Sequence, residues 1–189
     1  AISNERVRTG VPRLDVMLDG GYYRGSSVII TGVPGTAKTT LAGSFAEEMC
    51  EAGEKVLYVS FDEAAAQIAR NLGSVGLQLD RWMKQGLLHI HAIRTEARSA
   101  EEHLMELRRL IRDFEPRHLI VDPISALAKT GGHVSAVHAS MRLLDYAKCR
   151  GITTICTSLV AGNETVEEQT ETEISTIADT WIHLAYRVL

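Results

Sequence analysis

Two rhythms of apolar and polar positions run through the chain, and each change of rhythm marks the border of an element. Continuous apolar runs of strand length fall at 28–30 (Val-Ile-Ile), 56–61 (Val-Leu-Tyr-Val-Ser-Phe), 118–121 (His-Leu-Ile-Val) and 152–158 (Ile-Thr-Thr-Ile-Cys-Thr-Ser). Such runs belong to parallel strands covered on both faces. Residues 87–93 alternate as a strand, and a last strand is expected from Thr180 to Leu189. Between the strands the spacing turns helical. From Thr40 to Cys50, Leu41, Phe45 and Met49 share a stripe that Glu47, Glu48 and Glu51 avoid, and Gly53 stops the helix. Further helices are expected over 64–72, 80–85, 100–114 and 135–149, with a Gly-containing loop over 129–134. Ser99 and Glu102 stand at capping-box distance before the stripe Leu104, Leu107 and Ile111. Ahead of the first strand, residues 9–15 read as a short packing helix closed by Gly20 and Gly21. Strands separated by helices in this order predict an α/β fold, a mostly parallel twisted sheet flanked by helices with right-handed crossovers.

Composition narrows this picture. With 189 residues, 45% of them apolar, the chain is the size of one ordinary α/β domain, and nothing in it repeats. A net charge of −4 argues against a protein that coats nucleic acid, while leaving room for a local basic stripe. Cys50, Cys149 and Cys156 lack metal-like spacing and read as thiols of a reducing compartment. No stretch approaches a membrane span, so a cytoplasmic location away from membranes is expected. His89 and His91 face one side of their strand, but no third ligand stands at a sensible spacing for a metal. The chain stops on Val188 and Leu189, an apolar strand end, which suggests that a C-terminal portion follows.

The strongest chemical signal lies between the first strand and the helix after it. Gly32, Val33, Pro34, Gly35, Thr36 and Ala37 lead into Lys38, Thr39 and Thr40, the strand, loop and helix of a Walker A phosphate site. Backbone N–H groups at a helix start cradle anionic phosphates, and Gly32 and Gly35 let the backbone come close. Lys38 reaches the β- and γ-phosphates, and the Thr39 hydroxyl sits on Mg²⁺. Ala37 stands where the motif asks for glycine, which its methyl tolerates provided that φ stays negative. Asp122 follows the buried strand 118–121 at once, a Walker B acid placed to orient the water shell of Mg²⁺.

Asp62 and Glu63 follow the strand 56–61, at the carboxyl edge of the sheet where chemistry gathers. A carboxylate there can polarise a water or a hydroxyl for attack on a γ-phosphate. Equally, either acid can merely begin the helix that follows. Thr157 and Ser158 end another strand, where a γ-phosphate can be sensed.

The chain resembles the KaiC family of circadian clock ATPases, and within it the second ATPase half of KaiC-like proteins from bacteria other than cyanobacteria. The likeness covers essentially every position: 3–7 (Ser-Asn-Glu-Arg-Val), 9–11 (Thr-Gly-Val), the phosphate loop, 122–128 (Asp-Pro-Ile-Ser-Ala-Leu-Ala) and, most specifically, 174–180 (Ile-Ser-Thr-Ile-Ala-Asp-Thr). It implies a RecA-like fold and a homohexameric ring with ATP bound between subunits. It further implies Ser/Thr autokinase and autophosphatase activity, with Ser175 and Thr176 as phosphorylation sites. The family's Glu-Glu pair falls on Asp62 and Glu63, which makes Asp62 the general base, one methylene shorter than the family's glutamate. A family arginine falls on Lys129 and a family hydroxyl on Thr170. ATP and Mg²⁺ are the implied cofactors, and KaiB-like proteins the implied partners. A phosphate on Ser175 or Thr176 would be repelled by Glu173 and Asp179, so a compensating Lys or Arg is expected from an adjacent subunit or from a following strand.

Two other readings stand beside the autokinase. One is a ring ATPase that couples hydrolysis to partner docking without labelling itself. The other is a RecA- or RadA-like DNA motor, since a fold does not fix a function. Against the motor, the stretch with Glu164, Glu167, Glu168, Glu171 and Glu173 is acidic where a strand-binding loop is basic, so nucleic acid is not an expected partner.

Overall fold

In chain order the elements are β1 (Arg6–Val7), α1 (Pro12–Met17), β2 (Tyr22–Tyr23), β3 (Ser27–Gly32), α2 (Lys38–Glu51), β4 (Val56–Ser60), α3 (Ala65–Gly73), α4 (Leu79–Lys84), β5 (Leu88–Ala92), α5 (Ala100–Phe114), β6 (His118–Asp122), a 3-10 helix (Ile124–Thr130), α6 (His133–Cys149), β7 (Thr153–Leu159) and β8 (Thr180–Leu184). They come from a computed structural model, which describes residues 3–93, 98–130, 133–159 and 178–186.

Six strands form one sheet in the order β5-β4-β6-β7-β3-β8, and every pairing in it is parallel. Period-two alternation sorts their side chains onto two faces. Val28, Ile30, Tyr58, Ile120 and Ile155 pack with Phe45, Ala46 and Met49 of α2 and with Ile68 and Leu72 of α3. Ile29, Leu57, Val59, Leu119, Val121 and Cys156 pack with Leu104, Leu107 and Ile111 of α5 and with Leu143 and Leu144 of α6. The result is the three-layer α/β architecture that the hydrophobic rhythm predicts, and it agrees with the RecA-like fold that the resemblance implies. Ser99 closes the expected capping box with Glu102.

Three boundaries differ from the expectation, the first being α1, which runs Pro12–Met17 rather than over 9–15. In place of a loop over 129–134, the 3-10 helix runs to Thr130 and α6 starts at His133, because Ala126 and Leu127 are buried and hold this stretch against the core. The last strand ends at Leu184 rather than Leu189, where its partner β3 also ends, at Gly32. Among the described residues, no helix is long and apolar enough to cross a membrane, and no three His, Cys, Asp or Glu side chains gather into a metal site by themselves. His89 and His91 stack instead, their ring centroids 5.9 Å apart.

At the amino end of the sheet a buried polar lock ties the segments together. Arg24 forks onto Glu54 at 2.8 and 2.9 Å and reaches Glu5 at 2.9 Å, while the fully buried His118 places Nε2 2.5 Å from Glu54. The Arg24 hydrogen bond brings the Glu54 pKa down to about 2, so its carboxylate can only accept and Nε2 of His118 must donate. Burial brings His118 down from 6.5 to about 4, against the pull of Glu54. The unfolded chain therefore takes up a proton on His118 near pH 6.5 that the folded chain refuses until about pH 4. Stability is expected to be full above pH 6.5 and to fall on the order of 3 kcal/mol between there and pH 4, with the protonation of Glu54 adding to the loss below pH 4.5. Urea midpoints across this range check the slope, and His118→Gln is expected to flatten its upper part.

Candidate functional site

Because all six strands run the same way, the carboxyl ends of β3, β4, β6 and β7 open on one edge, and the site assembles there. The segment from Gly32 to Ala37 forms the loop, and Lys38, Thr39 and Thr40 open α2. A Cβ on Gly32 would meet Thr36 Oγ1 at 2.5 Å and the Leu184 carbonyl at 2.6 Å, while Gly35 has a φ of +85° and a Cβ on it would meet the Tyr186 hydroxyl at 2.8 Å, so both positions favour glycine. Neither contact with the end of β8 is visible in the loop's own sequence. No side chain caps α2, which leaves its first N–H groups unspent by side chains and suited to an anion. Lys38 is only 7% exposed and lies across the loop, its Nζ donating to the carbonyls of Gly32 at 2.6 Å and Val33 at 2.9 Å.

Ala37 corrects one expectation. Its φ is +65° rather than negative, so the residue preceding the lysine adopts the left-handed conformation that favours glycine. A side chain there costs about 1–2 kcal/mol. Ala37→Gly is expected to raise the thermal midpoint by about 2–4 °C without weakening nucleotide binding, which calorimetric melting and titration with ADP would check. A lower midpoint would contradict the strain.

Opposite the loop, Asp122 is 9% exposed and held from two neighbouring strands. The buried Tyr58 hydroxyl on β4 donates to its Oδ2 at 2.5 Å, and the Thr157 hydroxyl on β7 donates to Oδ1. Burial and the adjacent carboxylate push the Tyr58 phenol well above its ordinary value, so it stays a donor. Thr157 thus spends its hydroxyl on Asp122, whereas the sequence suggests a phosphate sensor.

Thr39, Ser60, Asp62, Glu63 and Asp122 line one small cleft of about 40 Å³. The structure therefore brings together Thr39, Asp62, Glu63 and Asp122, four of the five residues assigned to metal and catalysis; the fifth, Lys38, lies across the adjoining loop. Oxygen donors such as the Thr39 hydroxyl and the Asp122 carboxylate suit Mg²⁺, which usually keeps waters and phosphate oxygens as its other ligands. Asp62 and Glu63 precede α3 and do not cap it, since its N-cap is Ala64 and has no side-chain bond. The two acids differ in freedom. Glu63 Oε2 accepts from Asn71 of α3 at 2.9 Å and its backbone N–H donates to Ser60 Oγ at 3.0 Å. Asp62 is exposed, and no hydrogen bond holds its side chain among the described residues.

Ser175, Thr176 and Thr170 lie outside the described residues, as does the side chain of Lys129. The cation expected to compensate a phosphate on Ser175 or Thr176 likewise lies outside the described residues; Asp179 itself is described and already paired. Lys148 of α6 donates to both of its oxygens, at 2.7 and 2.9 Å, and the Ser27 N–H donates at 2.9 Å. Tyr58 is the functional residue that the sequence reading misses, because within Val-Leu-Tyr-Val it passes as core.

Comparison with known proteins gives one consistent answer. The family model described as the KaiC ATPase matches residues 7–189. The chain is 42% identical over 186 residues to the circadian clock protein KaiC2 of Synechocystis sp., covering 97% of this chain and 33% of that protein. It is 35% identical over 187 residues to the circadian clock oscillator protein KaiC of Thermosynechococcus vestitus and 34% identical over 184 residues to that of Picosynechococcus sp., in both cases across 97% of this chain and 36% of the relative. The chain thus spans about a third of the length of these relatives.

Proposed function

The chain belongs to the KaiC family of ATPases, and on that footing we propose that it is an ATP-binding, Mg²⁺-dependent serine/threonine autokinase and autophosphatase acting within a homohexameric ring. In this reading residues 1–189 form one RecA-like unit, the second ATPase half of a longer KaiC-like protein. The observation that carries the proposal is the cleft in which Thr39, Asp62, Glu63 and Asp122 meet beside the phosphate loop.

Each residue then has a role. The loop from Gly32 to Ala37, with Lys38, Thr39 and Thr40, holds the phosphates of ATP. The Thr39 hydroxyl and Asp122 hold Mg²⁺, Asp122 being fixed in orientation by Tyr58 and Thr157. When bound, the ion neutralises phosphate charge as it shifts toward the leaving group. Asp62 takes the hydroxyl proton of Ser175 or Thr176 as the hydroxyl oxygen bonds to the γ-phosphorus. The bond between that phosphorus and the bridging oxygen of the β-phosphate breaks, and ADP leaves. The absence of a nearby arginine finger in the sequence favours ATP bound between subunits, where a neighbour supplies the cation. KaiB-like proteins are the proposed partners.

A second reading has an observation of its own. The Asp62 side chain is short, exposed and unheld, which suits a water as well as a hydroxyl, and with water as the nucleophile the ring hydrolyses ATP without labelling itself. Phosphosite mass spectrometry on the full-length protein, before and after incubation with Mg²⁺ and ATP, separates the two. Phosphate confined to Ser175 and Thr176, and lost in Ser175→Ala/Thr176→Ala, is the expected result. ATP consumption with both residues unmodified would replace the autokinase by the ring ATPase.

A further inference from the structure

On the face of the sheet opposite α2, the surface over α5 and α6 holds an open groove of about 740 Å³ lined by arginine. Arg98, Arg108, Arg109 and Arg112 line it together with Tyr146 of α6. Arg108 lies over the Tyr146 ring with its guanidinium carbon 4.9 Å from the centroid, and Arg150 lies over the same ring at 4.1 Å.

The charges here do not cancel. Arg98 pairs with Glu106, and Arg109 and Arg112 share Asp113 at 3.6 and 3.2 Å. Arg108 and Arg150 have no carboxylate partner among the described residues, and Nε of Arg108 is buried without an acceptor. The guanidiniums of Arg108 and Arg150 are therefore positive charges without a counter-charge beside them. The groove is also a concentration of positive charge on a chain whose net charge is −4. Met105, 71% exposed, adds an apolar wall.

We propose that this groove docks an acidic segment of a partner protein, whose carboxylates pair with Arg108 and Arg150 while an apolar side chain sits on Met105. The planar fork of a guanidinium matches a carboxylate with two parallel N–H donors. Single-stranded nucleic acid fits the groove less well. Its binding relies on bases stacking on open aromatic faces, and Tyr146 is already covered by two guanidiniums. Glu106 and Asp113 also interrupt any track for a phosphate backbone. The proposal is independent of the nucleotide site, which lies at the carboxyl edge of the sheet and shares no lining residue with the groove.

The test uses the full-length protein and a fluorescein-labelled peptide of glutamates with one central leucine, followed by anisotropy. A glutamine version of the peptide and a labelled oligothymidylate serve as competitors in chemistry. The glutamate peptide is expected to bind, to weaken as salt rises, and to lose about ten-fold or more in affinity with Arg108→Gln/Arg150→Gln. Arg142→Gln, at a residue paired with Glu101 outside the groove, is expected to leave binding unchanged. If the double variant fails to fold, Arg150→Glu at an exposed position carries the same comparison. Nucleotide binding is expected to persist in every groove variant. The proposal is overturned by absence of peptide binding, by equal binding of the glutamine peptide, by indifference to the arginine variants, or by tighter binding of oligothymidylate.

Discussion

Lys38→Ala is expected to lower ATP hydrolysis by about 10³-fold, the scale on which a preorganised donor to phosphate oxygens acts. The reason lies in where the ammonium already sits. Its Nζ is buried among the carbonyls of Gly32 and Val33 and the Thr36 hydroxyl, at 2.6, 2.9 and 3.4 Å, so the charge is held over the loop before nucleotide arrives. Phosphate oxygens offer it a full negative charge in place of carbonyl dipoles. Arginine cannot substitute, because the space between these oxygens fits a point charge and not a planar fork. The variant also loses donors to two loop carbonyls, so it needs a readout that separates binding from folding. Saturating ADP and Mg²⁺, at about 100 times the dissociation constant, adds about 2.7 kcal/mol to the wild-type stability. In Lys38→Ala that increment is expected to vanish whatever the starting midpoint. Hydrolysis within ten-fold of wild type would remove Lys38 from the phosphate site.

The second large effect is expected at a residue that touches no nucleotide. Tyr58→Phe keeps the buried ring and removes only the hydroxyl that donates to Asp122 Oδ2 at 2.5 Å. One oxygen of the carboxylate is then released, and metal affinity falls by about 10–100-fold, as is typical when the support of a ligand is lost. Mn²⁺ binding in the presence of ADP, followed by electron paramagnetic resonance, measures this without turnover. Thr157→Val releases the other oxygen and is expected to act in the same direction. Because both hydroxyls hold one group, the double variant is expected to lose less than the sum of the two effects. Unchanged Mn²⁺ affinity in Tyr58→Phe would show that Asp122 needs no such support.

These two residues mark the limit of what one strand reveals at a time. The runs 56–60 and 118–122 are legible because burial on both faces leaves an unbroken apolar signature, and the Ser99–Glu102 cap is legible because its partners are three residues apart. The phosphate loop and both acidic positions are likewise local in sequence. Tyr58 is different. Its reach to Asp122 follows from the register that sets Tyr58 against Ile120 and Ser60 against Asp122, a diagonal across two strands that a long aromatic side chain spans. The arginines of α5 are a similar case. Alone they read as a solvated helix face, and only the packing of α5 beside α6 brings Arg108 and Arg150 onto one ring. The φ of Ala37 was hidden for another reason, since the loop imposes that backbone conformation and the residue type does not advertise it.

The place of β3 in the sheet has a consequence for how the protein comes into being. Its two partners are β7 and β8, with Ser27 against Thr154 and Val28 against Thr180, while the strand itself is synthesised well before either. At ribosomal rates it waits on the order of ten seconds for either partner. Throughout that interval a β-branched run that is completely buried in the native sheet has no neighbour on either edge, and the phosphate loop has no wall opposite it. Pairings so distant along the chain make for a slow, late-committing folding reaction. A nascent chain halted before Thr153 lacks both neighbours of β3, so nucleotide capture on the ribosome would time the closing of the sheet, and the unfinished strand is a natural client for holding chaperones.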